Sequence, residues 1–205
     1  MLSKLKLVLV LVGMFLVFSC DPRKDDPAMD KVDKIKLKSE VCEKVLTKWI
    51  YEHSKQISMQ TSGEIVKEVM KTNKPLLILA IAEIESNFIP SALSSKGAMG
   101  LTQVMPSVHE KELISKGMIK ERRDLFDIVP SIRAGNYVLD FCLTQSKDDV
   151  PKALELYLGG QGGHYVKRIL SSLANLYVAV RYVTEMNNFI LDVRKVQKEG
   201  KEKMK

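Results

Sequence analysis

Residues 74–106 read KPLLILAIAEIESNFIPSALSSKGAMGLTQVMP, and the two halves of this stretch differ in composition. The first half is apolar on every side between residues 76 and 82, and a helix of that kind belongs in a protein core. Glu83 and Glu85 follow the apolar run directly. Burial at the end of such a helix disfavours the charged form of a carboxyl group and raises its pKa, as a general acid at neutral pH requires. The position of the two glutamates therefore indicates catalytic chemistry.

The second half of the stretch is rich in helix-breaking residues and in neutral polar side chains. Its prolines and glycines are Pro90, Gly97, Gly100 and Pro106, and its hydroxyl and amide groups belong to Ser91, Ser94, Ser95, Thr102 and Gln103. A loop of this composition offers neutral hydrogen bonds to a neutral ligand such as a sugar. No Asp or Glu occurs between Glu85 and Glu110. A glycosidase built here would take a second carboxylate from elsewhere in the fold or work with one acid alone.

Four blocks of the chain carry a resemblance to a known family. Glu85-Ser86-Asn87-Phe88, followed by SKGAMGLTQVMP at residues 95–106, resembles the signature of soluble-type lytic transglycosylases, whose SLT domain is goose-lysozyme-like. In these proteins a Glu-Ser pair ends a core helix, and a Gly-Leu-Met-Gln-x-x-Pro segment follows. Residues 127–143 (DIVPSIRAGNYVLDFCL) are similar to the second helix block of the family.

The third and fourth blocks lie downstream. Residues 153–166 (ALELYLGGQGGHYV) are similar to the block that ordinarily reads Ala-Tyr-Asn-Ala-Gly, and Tyr177-Val178 is placed at the family's closing Tyr-Val pair. The match covers roughly residues 75–180, and four blocks in order are far more specific than any one of them.

The resemblance implies an all-α, lysozyme-like helical domain with an active-site groove. It implies cleavage of the β-1,4 bond between N-acetylmuramic acid and N-acetylglucosamine in peptidoglycan, with Glu85 as the acid and then the base. Ser86 would support the acid or the substrate N-acetyl group, Gln103 would bind sugar amides, and Tyr157 would orient the substrate. The resemblance implies no cofactor.

Glu83 and Glu85 compete for the catalytic role. The side chains of residues two apart on a helix point to nearly opposite sides, so only one of them is expected to face a given groove. Apolar residues surround both, and periodicity therefore does not choose. The family match through Ser86 and Phe88 selects Glu85, and Glu83 is expected to face a polar or charged partner.

Three positions depart from the family pattern. Thr102 stands where the family usually has Met, Ser131 where it usually has Asn, and Leu158 where Asn usually follows the tyrosine. We expect Leu158 to matter most, because it removes an amide from the active-site wall. The departures predict a reduced or specialised activity on an unchanged fold.

The first 34 residues predict export and anchoring. Lys4 and Lys6 precede a short apolar run, and residues 17–20 (VFSC) resemble a bacterial lipobox. We therefore assign residues 1–19 to a lipoprotein signal peptide and expect Cys20 to be lipidated; an uncleaved anchor is the alternative. Residues 20–34 are charged and contain two prolines, which predicts a flexible tether. These features predict a cell-envelope protein that faces the periplasm.

The remaining sequence predicts helices throughout. We divide it into N-terminal helices at residues 35–72, the lytic transglycosylase-like domain at residues 73–197, and a charged tail at residues 198–205. Within these, Thr61 and Glu64 form a plausible capping box, Gly159 to Gly163 stop a helix, and helices follow from Tyr165 to about Val196. Trp49 lies on an apolar helical stripe, which favours a place in the core.

The charge, cysteine and histidine content limits which partners, disulfides and metal sites we expect. The formal net charge of +7 suits an acidic cell-wall polymer or an anionic membrane, although a solvated basic surface explains it equally well, and we do not expect a nucleic-acid partner. Cys42 and Cys142 are either a disulfide or two buried thiols. His53, His109 and His164 lack the spacing of metal ligands, so no metal is expected.

Two other functions remain open from the sequence. A hydrolytic muramidase on the same fold would need a water-activating carboxylate such as Asp124 or Asp127 beside the groove. A catalytically silent peptidoglycan-binding lipoprotein would keep the groove without turnover.

Overall fold

The computed structural model describes residues 40–202, except for the side chains of residue 184 and of residues 187–202. The described residues form seven α-helices and one 3-10 helix. They are α1 Glu40–Ser54, α2 Met59–Val69, α3 Pro75–Ser86, α4 Pro106–Ser115, the 3-10 helix Arg122–Phe126, α5 Ile128–Ser146, α6 Val150–Leu158 and α7 Gly163–Glu202. No strand occurs in this part of the chain, and the loop after α3 contains only two isolated β-bridges. The predicted all-α fold is confirmed.

The signal peptide at residues 1–19, the tether at residues 20–34 with Cys20, and residues 203–205 of the tail lie outside the described residues. The assignments made to them stay predictions. Residues 198–202, placed in the tail from sequence, continue α7. None of the helices within residues 40–202 combines the length and hydrophobicity required to cross a bilayer.

Helix α3 is the buried centre of the domain. Every residue from 76 to 82 is buried, as the unbroken apolar run predicts, and α3 packs chiefly against α7. Pro75 occupies the first turn, where its missing N–H costs nothing. The apolar run thus fixes the end of the helix, and with it Glu85, at the edge of the core.

The chain leaves α3 through a strained turn. Asn87 and Phe88 both adopt left-handed backbone conformations, with φ of +51° and +61°, which cost roughly 1–2 kcal/mol per non-glycine residue. Phe88 is fully buried. The Ser54 hydroxyl donates to the Asn87 carbonyl at 2.8 Å, and Asn87 Nδ2 donates to the Ser54 carbonyl at 3.3 Å. The end of α1 therefore holds the turn that follows the candidate acid.

Two glycines allow the loop after α3 to pack closely against its neighbours. A Cβ at Gly100 would lie 1.9 Å from the Leu125 carbonyl oxygen, and φ there is +77°. A Cβ at Gly135 would lie 2.5 Å from the side chain of Thr102. Any larger residue at either position would push the loop away from α5 and from the 3-10 helix.

A buried carboxylate joins α2 to α5. Glu68 is only 4% exposed, and its oxygens accept from Lys71 and, at 3.1 Å, from Arg133 Nε. Both cations remain largely exposed. Glu68 thus has a structural role, since it links α2 to α5 through its ion pairs.

Two local predictions from the sequence are wrong. Helix α2 is capped by Ser58, whose hydroxyl accepts from the Thr61 N–H at 3.0 Å, so the helix starts before the predicted Thr61 box. The segment predicted as several helices after Tyr165 is the single helix α7, because no proline or glycine interrupts it between residues 164 and 199.

Cys42 and Cys142 are both buried, and no disulfide joins them. The two-thiol alternative therefore describes the structure. Trp49 packs against the core as predicted and stacks on His53 with ring centroids 3.9 Å apart.

Candidate active site

An open cavity of about 540 Å³ lies at the C-terminal end of α3. Three parts of the chain line it: the last residues of α3, the loop at residues 92–103, and α7. The lining residues are Glu83, Ile84, Glu85, Ser86, Asn87, Ala92, Leu93, Ser94, Gln103 and Arg168. The cavity combines carboxylates from the core helix with the neutral polar loop that the sequence predicts for sugar binding.

Glu85 lies at the boundary between the core and this cavity. Burial raises the pKa of its carboxyl group above the ordinary 4.5, and a hydrogen bond from Tyr165 and the positive charge of Arg168 partly oppose that rise. The Tyr165 hydroxyl donates to Glu85 Oε1. A carboxyl group with a raised pKa, open to a cavity and oriented by one donor, can give a proton and later take one back.

Tyr157 and Tyr165 surround this carboxyl group with phenols that stay protonated. Burial raises the pKa of each hydroxyl, and the nearby charge of Glu85 raises it further. The Tyr157 hydroxyl donates a hydrogen bond to the Thr102 carbonyl at 2.8 Å. Its hydroxyl therefore holds the loop, and its predicted role in orienting the substrate stays a prediction.

Glu83 lines the same cavity as Glu85. The expectation that only one of them faces the groove is wrong, because the cavity wraps around the last turn of α3 rather than lying along one side of it. Glu83 Oε2 accepts from the Ser172 hydroxyl at 2.6 Å, which supplies the polar partner expected for it.

Ser86 and Gln103 both line the cavity and both hold the loop in place. The Ser86 hydroxyl lies 2.8 Å from the Leu101 carbonyl and 3.0 Å from that of Ala82. Gln103 Nε2 donates to the carbonyls of Gly100 and Ala92 at 2.8 and 3.1 Å. The amide oxygen of Gln103 remains the group suited to accept from a sugar amide, and the substrate-binding roles of both residues stay predictions.

The departures from the family pattern occupy two different places. Thr102 and Ser131 are fully buried and contact each other, since Thr102 Oγ1 donates to the Ser131 carbonyl at 2.9 Å. The Ser131 hydroxyl has no hydrogen-bond partner among the described residues. Leu158, at the end of α6, is 45% exposed and is not among the residues that line the cavity. Two departures thus alter the packing behind the loop, and the third lies outside the cavity.

The carboxylates proposed for a hydrolase do not line the cavity. Asp124 accepts from the backbone N–H groups of Lys120 and Glu121 at 2.6 and 3.3 Å, and so fixes the 3-10 helix. Asp127 is exposed at the start of α5. Among the side chains that the structure describes, no three from His, Cys, Asp or Glu come together as possible metal ligands.

Sequence reasoning missed the contribution of α7. Tyr165 and Ser172 each donate to a glutamate of α3, and Arg168 lies between them in sequence and lines the cavity. A signal was present, because Tyr165-Val166 is itself a Tyr-Val pair, twelve residues before the pair at Tyr177. In the structure it is Tyr165, from the earlier pair, that contacts the candidate acid Glu85.

One of three comparisons with known proteins identifies the family of the chain. The family model described as the transglycosylase SLT domain matches residues 64–189, more than half of the chain, and this range contains all of the residues that line the cavity. Searches among curated proteins and among solved structures gave no significant match. The chain therefore belongs to the transglycosylase SLT domain family and has its lysozyme-like, all-helical fold.

Proposed function

We propose that this chain is a membrane-anchored lytic transglycosylase that cleaves the bond between N-acetylmuramic acid and N-acetylglucosamine and leaves 1,6-anhydromuramoyl ends. Its family membership supports peptidoglycan-cleaving activity of the lytic transglycosylase type in the cell envelope. The single observation that carries the finer proposal is Glu85, a carboxyl group with a raised pKa at the end of a core helix, facing an open polar cavity.

The mechanism uses one carboxyl group twice. Glu85 first protonates the glycosidic oxygen, and the N-acetyl group of the substrate stabilises the cationic centre at the anomeric carbon. The Glu85 carboxylate then takes the proton of the muramoyl C6 hydroxyl as that oxygen closes onto the anomeric carbon. The Tyr165 hydroxyl supports the charged form of Glu85 between the two steps. No water is consumed.

The carboxylates around the cavity favour this single-acid route over hydrolysis. Asp124 is engaged by backbone donors, and Asp127 is exposed outside the cavity. Glu83 does line the cavity, where it accepts from Ser172. Among the residues described as lining the cavity, Glu83 is thus the carboxylate that a hydrolytic muramidase would use to activate water.

The proposed anchor is the lipidated Cys20, with residues 21–34 as a tether. Fourteen residues extend at most about 45 Å at roughly 3.3 Å per residue, which is enough to hold the domain off a membrane. We place the protein in the bacterial cell envelope, facing the periplasm, with peptidoglycan glycan strands as its partner.

The deciding experiment is a mass analysis of muropeptides released from purified peptidoglycan by the full-length chain. Anhydromuramoyl ends, lighter by one water than reducing ends, are expected. Glu85→Gln should abolish the product while retaining the fold, since loss of general acid–base catalysis alone costs about 10²–10⁴-fold.

Glu83→Gln is the matched control on the same turn of α3, and it should keep most of the turnover. Reducing ends that disappear in Glu83→Gln would establish the muramidase instead. Absence of any product would indicate a binding protein, and full activity in Glu85→Gln would remove Glu85 from the mechanism.

A further inference from the structure

Arg168 stands out among the residues that line the cavity. It alone carries a positive charge within that described set, and its side chain is exposed. The α3 wall of the same cavity contains two carboxylates, and the loop wall contributes neutral groups such as Ser94 and Gln103. A neutral sugar ring gives no reason for a guanidinium group at this place.

The position of Arg168 is fixed by its neighbours on α7. It follows Tyr165 by three residues and precedes Ser172 by four, so the three side chains share one face of the helix. The other two donate to Glu85 and Glu83. Hydrogen bonds to α3 therefore hold this face of α7 about one turn before Arg168 and about one turn after it.

Arg168 is not used by the fold. Arg122, Arg133 and Arg181 each form an ion pair, with Glu110, Glu68 and Glu185 respectively. Arg168 forms no ion pair or hydrogen bond with any side chain that the structure describes, although its charge acts on Glu85. Its guanidinium group thus keeps the planar set of donors that binds carboxylates in a bidentate manner.

We propose that Arg168 is a specificity residue, whose guanidinium group binds a carboxylate of the glycan strand beside the bond that is cleaved. This inference rests on the proposed function. Peptidoglycan offers two sources of that carboxylate: the lactyl group of a muramoyl residue without a stem peptide, and the stem peptide itself. Uncharged N-acetylglucosamine polymers offer neither, so the site selects anionic strands.

The test compares Arg168→Gln with the full-length wild-type chain on four substrates: strands that keep their peptides, strands freed of peptides, and both again after their carboxylates are converted to amides. On unmodified strands, kcat/KM should fall by about 10- to 100-fold, mainly through KM, as expected for the loss of hydrogen bonds between charged groups. On amidated strands, wild type and variant should have equal KM, and any change in kcat through the charge that Arg168 exerts on Glu85 should be the same on all four substrates. The unmodified substrate that shows the larger loss identifies the source of the carboxylate.

Lys167→Gln is the matched control, because it removes one positive charge from the adjacent exposed position outside the cavity. It should behave as wild type. Arg168→Lys, which keeps the charge without the planar fork, should recover part of the loss. An equal rise in KM on amidated and unmodified strands, or no rise at all, would overturn the inference.

Binding separates this inference from the proposed function. Glu85→Gln and the double variant with Arg168→Gln should differ in their affinity for unmodified strands and agree for amidated ones. If the wild type cleaves no strand, the proposed function fails, and the binding difference still decides the role of Arg168. Equal binding of unmodified strands by the two variants would refute the role proposed for Arg168.

Discussion

Glu68 and Glu85 are two carboxyl groups that the same fold removes from water and treats in opposite ways. Glu68 is 4% exposed and is held by two cations, Lys71 and Arg133. Glu85 accepts from a neutral phenol, and burial raises the pKa of its carboxyl group. Burial alone therefore does not distinguish a reactive carboxyl group from a structural one. The distinction lies in the partners and the surroundings, because two cations hold Glu68 between helices, whereas Glu85 accepts from one hydroxyl and faces an open cavity.

The largest effect on this contrast should come from Tyr165→Phe. The change removes the donor that orients Glu85 and supports its charged form, so turnover on peptidoglycan should fall by about 10- to 100-fold. The pKa of Glu85 should rise further, which moves the alkaline limb of the pH–rate profile to higher pH. A kinetic pH profile of both proteins measures the two effects.

Tyr177→Phe is the control for that experiment, since it removes the same hydroxyl from the other Tyr-Val pair of α7. Tyr177 packs against the core and does not line the cavity. Its variant should keep the profile of the wild type. An unshifted alkaline limb in Tyr165→Phe would show that the hydroxyl does not act on Glu85.

Glu68→Gln should have a smaller effect, of a different kind. It leaves Lys71 and Arg133 without their carboxylate and should lower the free energy of unfolding by about 1–3 kcal/mol, as measured by urea denaturation. Turnover per folded molecule should not change, because Glu68 lies between α2 and α5. A loss of turnover in the fully folded variant would end the assignment of Glu68 as purely structural.

The smallest effect should be the pH dependence of stability at Glu85. Its pKa is raised in the folded state, so the protonated group contributes stability that is fully present below the ordinary 4.5 and is lost as pH rises through the folded pKa. Glu85→Gln has no such loss. In denaturant titrations, the variant should therefore gain stability relative to wild type as pH rises from below 4.5 through the folded pKa of Glu85. A difference that shrinks over this interval would contradict the raised pKa.

The sequence predicts the elements that local composition determines. The unbroken apolar run of α3 places Glu85 at the edge of the core, and the glycines at residues 97 and 100 place a loop after it. Helix ends follow less directly from local composition, because Ser58 and Thr61 are both of a type that caps helices and lie within one turn of each other. Only the contact between the Ser58 hydroxyl and the Thr61 N–H selects the first.

The sequence does not predict the contacts that join distant segments. The hydrogen bond from Tyr165 to Glu85 spans 80 residues, and that from Ser172 to Glu83 spans 89. The sequence places the closing Tyr-Val pair at Tyr177, whereas the packing of α7 on α3 brings Tyr165 to Glu85. Gln103 shows the same limit, since composition indicates a ligand-binding amide and the fold commits its Nε2 to two backbone carbonyls.

Because one uninterrupted helix carries Tyr165, Arg168 and Ser172, the angles between their side chains around its axis are fixed. An extra residue at positions 159–161, which are exposed and precede the helix, would be absorbed by the loop. An extra residue between Tyr165 and Ser172 would turn one relative to the other by about 100°. A change of chain length just before α7 would therefore leave the hydrogen bonds to Glu85 and Glu83 intact. A change between Tyr165 and Ser172 would break one of these two hydrogen bonds.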